Sequence, residues 1–93
     1  MTREEVLTKA KTCVCGERES DYGSPEGNFT RIAKLWSVYL DLSEEDETAL
    51  TPKDVAAMLA LLKIARIASG HAKDDNWVDL AGYAACGGEL EST

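Results

Sequence analysis

The chain reads as an all-α domain, a four-helix bundle, on three observations. Four segments open on helix-start signals, and the apolar residues within them recur at three- and four-residue spacing. No stretch alternates β-branched and polar residues as a half-buried strand would. With 93 residues the chain is one domain, 1–93. Size scaling allows a domain this small to bury only about 60–65% of the surface its unfolded chain exposes, so one copy has little core.

The first helix begins after Thr2, where Thr2-Arg3-Glu4-Glu5 has the form of a capping box. It carries Val6, Leu7, Ala10, Cys13 and Val14 on one stripe and should fade near Arg18. A polar loop through Tyr22-Gly23 leads to Ser24-Pro25, an N-cap followed by proline in the first turn. In the second helix Phe29, Ile32, Leu35, Trp36, Tyr39 and Leu40 recur at helical spacing until the acidic stretch Ser43–Glu47, which reads as a solvated loop.

Thr51-Pro52-Lys53-Asp54 is another strong start, and the third helix should run to Gly70. Between Val55 and Ile67 it is apolar almost all round, broken only by Lys63 and Arg66, which marks a helix enclosed by others. Asp74 or Asp75 can cap a fourth helix holding Trp77, Leu80, Ala81, Tyr83, Ala84 and Ala85, its end weakened by Gly87-Gly88. Trp36 and Trp77 fall at core spacing and read as packing residues.

Composition excludes several classes of function. No basic-plus-apolar leader stands at the start, and no apolar run approaches the roughly 18 residues that cross a bilayer, so a cytoplasmic protein without membrane contact is expected. The three cysteines, Cys13, Cys15 and Cys86, fit reduced core thiols, and a zinc site would lack a fourth ligand because His71 is the lone histidine. A net charge of −7 opposes binding to DNA, which draws its affinity from clustered Lys and Arg. The same acidity is compatible with a small nucleotide, whose phosphates carry a metal ion that carboxylates can hold. Nucleophilic triads and a glycine-rich phosphate loop are both absent from the pattern.

Polar residues that interrupt this apolar scheme are the candidates for chemistry. Asp75 and Asp79, four apart, share a helix face that Tyr83 continues. Two like charges there are explained by a cation between them, either magnesium or a side chain of the third helix, with Asp79 and Arg66 as the plainer pair. Lys63 and Arg66, three apart on the apolar helix, suit a phosphate, Arg as a fork and Lys as a point charge; their long stems can equally reach water. Asp54 reads as a cap residue or as a further metal ligand. Glu17, Arg18, Tyr22 and Asn28 flank the first loop, where they can contact a base or sugar; a tight turn with a packed tyrosine is the simpler account of Tyr22-Gly23.

The segments Glu17-Arg18 through Asp21-Tyr22-Gly23-Ser24-Pro25-Glu26-Gly27-Asn28-Phe29, then Leu61–Ile67 and Asp75–Ala84, resemble a phage and prophage family of unknown function across nearly the whole chain. More distantly the helical plan and the acidic pair are similar to the MazG-like all-α nucleoside triphosphate pyrophosphohydrolases. That resemblance implies magnesium bound between helices, for which Asp54, Asp75 and Asp79 are the candidates here; the residues taken to face the nucleotide are Glu17, Arg18, Tyr22, Asn28, Lys63, Arg66, Asn76 and Tyr83. The chain departs from the family's acidic motif. Its third helix offers Asp54 alone, and its fourth spaces its acids by four where the motif spaces them by three. Three functions follow as expectations: magnesium-dependent pyrophosphohydrolysis, sequestration of a nucleotide without turnover, and a helical interaction module. A homodimer or larger homo-oligomer is expected under each.

Overall fold

The structure, a computed structural model, describes residues 1–16, 24–70 and 73–92. Its elements are α1 (Arg3–Cys15), α2 (Pro25–Tyr39), α3 (Pro52–Ala68) and α4 (Asp74–Glu91), with no strand among the described residues. The all-helical architecture expected from the periodicity is therefore present.

Local chemistry sets most of the ends. At α1 the Glu5 N–H donates to Thr2 Oγ1 (3.1 Å) while Thr2 N–H donates to Glu5 Oε1 (3.2 Å), completing the capping box. The helix stops at Gly16, where a Cβ would lie 2.7 Å from the Thr12 carbonyl oxygen, so no other residue fits that backbone. Ser24 caps α2 by accepting from Gly27 N–H (3.3 Å). Beyond α2 the chain turns through Asp41 at φ 58° and Glu47 at φ 59°. Both are in the left-handed region, where Asp is among the more tolerant residues. Leu50 N–H then donates to the buried Ser37 hydroxyl (2.9 Å), which ties this loop back onto α2 and supplies a partner for a backbone group that would otherwise be shielded from water.

Helices α3 and α4 run antiparallel in tight contact, and α2 packs on α3 while α1 packs on α4. Several cross-helix pairs give the register. Lys53 meets Glu91, Gly87 faces Ala56, Lys63 meets Asp79, and Arg66 meets Asn76. The core lies where α2, α3 and the C-terminal part of α4 converge, in Phe29, Ala33, Val55, Ala56, Cys86 and Leu90. Val14, Ile32, Trp36, Leu50, Leu59 and Tyr83 pack around these six.

Several sequence expectations are corrected. The third helix is covered on one side only: Met58, Leu61, Leu62 and Ile64 are exposed, because α2 and α4 occupy neighbouring flanks and none of the described residues lies over the outside. Of the cysteines only Cys86 is buried, with Cys13 half-buried and Cys15 exposed at the end of α1. Trp77 is exposed, as are Leu35, Tyr39 and Leu40, since the face of α2 that meets α3 is set by Phe29, Ala33 and Ser37. Lys73, which provides no side-chain cap, stands at the N-cap of α4, and that helix continues through Gly87 and Gly88 to Glu91. Tertiary contact at Gly87 holds the helix where its propensity is poor.

The two glycine environments on α4 differ in a way that stability can read. A Cβ at Gly88 would meet nothing within 4 Å, whereas one at Gly82 would lie 3.1 Å from Val14 Cγ1 of α1. Gly88→Ala should raise stability by about 0.4–1 kcal/mol through helix propensity and reduced unfolded-state entropy. Gly82→Ala should gain less or lose, because α1 must move; thermal unfolding of the two variants checks the contrast.

Candidate functional site

Four of the candidate polar residues, Lys63, Arg66, Asn76 and Asp79, meet at the α3–α4 seam, towards the C-terminal end of α3. Lys63 and Arg66 stand three apart on one helix, Asn76 and Asp79 three apart on the other, and the antiparallel register matches them as two rungs about 4.5 Å apart along the axis. Lys63 Nζ lies 2.9 Å from Asp79 Oδ2, and Arg66 Nε–H donates to Asn76 Oδ1 at 3.0 Å. The Lys63 and Asp79 side chains are 17% and 30% exposed, so this pair is shielded from water far more than Lys53–Glu91, at 54% and 63%.

Asn76 is the unusual member. It is 3% exposed, its Oδ1 is occupied by Arg66, and its Nδ2 is buried without a hydrogen-bond partner. An unsatisfied buried donor costs roughly 1–3 kcal/mol. Asn76 also belongs to the first turn of α4, whose N-cap Lys73 gives no side-chain hydrogen bond. Arg66 is exposed alongside, with a guanidinium whose fork has donors beyond Nε.

The remaining sequence candidates fall elsewhere. Asp54 is in the capping box of α3, its Oδ2 accepting from Thr51 N–H (2.9 Å) and Thr51 Oγ1–H (3.0 Å). The backbone hydrogen bond from Thr51, followed by its hydroxyl, holds the Asp54 carboxyl below the usual range. Nine residues separate Asp54 from Lys63, about 13.5 Å along the helix, so it sits well away from Asp79. Asp75 is exposed and Asp79 is engaged by Lys63. Among the described residues no group of three or more His, Cys, Asp or Glu is placed to hold a metal ion. The magnesium set Asp54, Asp75 and Asp79 is thus not brought together. Tyr83 packs against the core, Asn28 is half-buried in the first turn of α2, and Glu17, Arg18 and Tyr22 lie outside the described residues.

The plainer pairing of Asp79 with Arg66 is replaced by Asp79 with Lys63. The signal for this was in the spacing: two residues three apart on each of two antiparallel helices pair crosswise in order, first with last. What no spacing reveals is that Asn76 is buried with one amide hydrogen-bonding group used and the other left over.

The chain matches a family described as a domain of unknown function, DUF6378, over residues 5–91, and it belongs to that family. It is 43% identical over 79 residues to the Gene 55 protein of Mycobacterium phage L5, covering 85% of this chain and 47% of that protein. It is also 40% identical over 83 residues to the Gene 55 protein of Mycobacterium phage D29, covering 89% of this chain and 51% of that one. The protein is therefore of phage type, as its motifs suggest, and it spans about half the length of the curated relatives it matches. No solved structure matches it. No helix among the described residues is long and apolar enough to cross a membrane.

The partial burial of Lys63–Asp79 sets its worth between that of exposed and buried pairs. Lys63→Met or Asp79→Asn should each destabilise the fold by roughly 1–2 kcal/mol, and the double variant by less than the sum. Chemical denaturation of the four proteins in this cycle measures the coupling, and strict additivity would show that the pair does not act as a unit.

Proposed function

We propose that the protein binds a phosphate group of a nucleotide at the α3–α4 seam and holds it without hydrolysis. The observation that supports this most is the buried, unpartnered Nδ2 of Asn76. Its two hydrogens call for acceptors, and a phosphate oxygen admitted into the seam is one. Arg66 is suited to the same anion, since its Nε already grips Asn76 Oδ1 and the rest of the fork can take further oxygens. Lys63, neutralised by Asp79, acts in this reading as a brace that fixes α3 against α4, with no direct part in the binding.

The acids favour retention without turnover. Hydrolysis at a phosphoanhydride needs a metal to ready the water and to neutralise the leaving pyrophosphate. Asp54 is committed to its cap and Asp79 to Lys63. The pyrophosphohydrolase reading rests on Asp75 and Asp79 sharing a helix face, and magnesium dependence separates the two. A sequestered signalling nucleotide of the host is a use that such a phage protein could have.

Thermal unfolding of the full chain against inorganic phosphate, pyrophosphate, nucleoside triphosphates, cyclic dinucleotides and ADP-ribose derivatives, with and without magnesium, tests the reading. A ligand at about 100 times its dissociation constant should stabilise the fold by roughly 2.7 kcal/mol. The shift should survive chelation of magnesium, and chromatography should recover the ligand unchanged. Asn76→Asp, which keeps an acceptor for Arg66 but exchanges the orphan donor for a negative oxygen, should lose at least about tenfold in affinity. Magnesium-dependent release of a monophosphate would replace this reading with the hydrolase, and no shift with any nucleotide would sink both.

A further inference from the structure

We infer that the outer face of α3 is a self-association surface on which a second copy of this chain packs. Residues Ala57, Met58, Leu61, Leu62, Ile64, Ala65 and Ala68 fall within one arc of about 160° on this helix, and no polar residue interrupts the arc between Val55 and Ala68. Leu61 is 62% exposed, Leu62 53%, Ile64 48% and Met58 38%. The opposite side of the same helix, through Val55, Ala56 and Leu59, faces the core. A helix apolar on both sides in a chain with net charge −7 is a core element lacking half of its surroundings.

The surface area of the chain indicates how much is missing. Its accessible surface is 6741 Å². A compact monomer of 10.1 kDa exposes about 5,300 Å² by size scaling. The excess, about 1,400 Å², exceeds the roughly 800 Å² that each partner contributes to a standard interface. The radius of gyration agrees: 14.2 Å, against about 12.3 Å for a compact chain of this length. Among the described residues only Val55 of the larger side chains is fully enclosed. The occupant that this area fits is a second copy: the arc carries no charged residue, so two chains of net charge −7 meet across it without placing like charges in contact. Interfaces of the obligate kind resemble a domain core cut in half, with few charges at the centre, which is the composition of this arc. Two-fold pairing would lay α3 against α3, with Ala57, Ala65 and Ala68 permitting close approach between the larger Leu61 and Ile64 side chains. The seam bearing Asn76 lies towards α4 and stays outside this contact.

Sedimentation equilibrium of the full chain over a wide concentration range, with thermal unfolding at the same concentrations, tests the assignment. The expected result is a mass of two copies and a melting temperature that rises with protein concentration. Leu61→Lys should give a helical monomer, while Leu7→Lys, placed on the exposed side of α1, should leave the mass unchanged. Should Leu61→Lys fail to fold, Leu61→Ala combined with Ile64→Ala keeps helix propensity and should still weaken association by at least about tenfold. A monomeric mass at every concentration would overturn the inference. So would a dimer whose association neither the Lys variant nor the Ala pair disturbs, since the contact would then lie elsewhere.

Discussion

The antiparallel register of α3 against α4 is the constraint on which the other features depend. Its first cause is small side chains: Gly87 faces Ala56 across the seam, and Val55 and Cys86 complete the buried layer around that contact. Its second is charge, with Lys53–Glu91 near one end and Lys63–Asp79 towards the other. The exposed pair contributes little to stability, whereas the shielded pair resists slippage, because a one-turn slide of about 5.4 Å would leave Lys63 and Asp79 half-buried and unmatched. The same slide would part Arg66 from Asn76 and bring Gly87 away from Ala56. Register, core and polar seam are thus fixed together.

Hanging α2 on one flank of this pair and α1 on the other gives an open arrangement, with extents of 46 × 31 × 22 Å. α3 then has two sides. One faces α2 and α4, building the core in its N-terminal half through Val55, Ala56 and Leu59 and the polar seam in its C-terminal half through Lys63 and Arg66; the other is apolar and bare. The separation matters for function, since a ligand at the seam and a second copy on the bare side do not compete for the same residues.

Much of this was legible in the sequence, and the failures have physical causes. The caps at Thr2, Ser24 and Thr51 are local chemistry and occur as read, and α2 and α3 begin at the prolines that follow. The face of α2 holds as read at Phe29, Ile32 and Trp36 and is too broad at Leu35, Tyr39 and Leu40, because all are apolar and periodicity alone does not choose between overlapping stripes; Ser37, buried by its hydrogen bond from Leu50, helps decide it. The apolar circumference of α3 was correctly noticed but assigned to enclosure within one chain, a matter of tertiary arrangement that local spacing does not contain. At the seam, spacing identified Lys63, Arg66 and Asp79. It could not identify the leftover donor of Asn76, which arises from burial and from the prior claim of Arg66 on the amide oxygen. The expected acidic trio failed because Asp54 serves its own helix end, a role that the sequence offered as the alternative.

The central claim is that the orphan amide of Asn76 is kept for an acceptor brought by a ligand. Its most direct measurement is the side-chain amide resonance of Asn76 in a titration with inorganic phosphate and with a nucleoside triphosphate, followed by hydrogen exchange at that group. The account predicts a saturable shift of the Nδ2 protons, slower exchange in the bound state, and a concurrent change at the Arg66 Nε–H. A ligand that binds elsewhere while the Asn76 amide stays unmoved and exchanges at its free rate would contradict it.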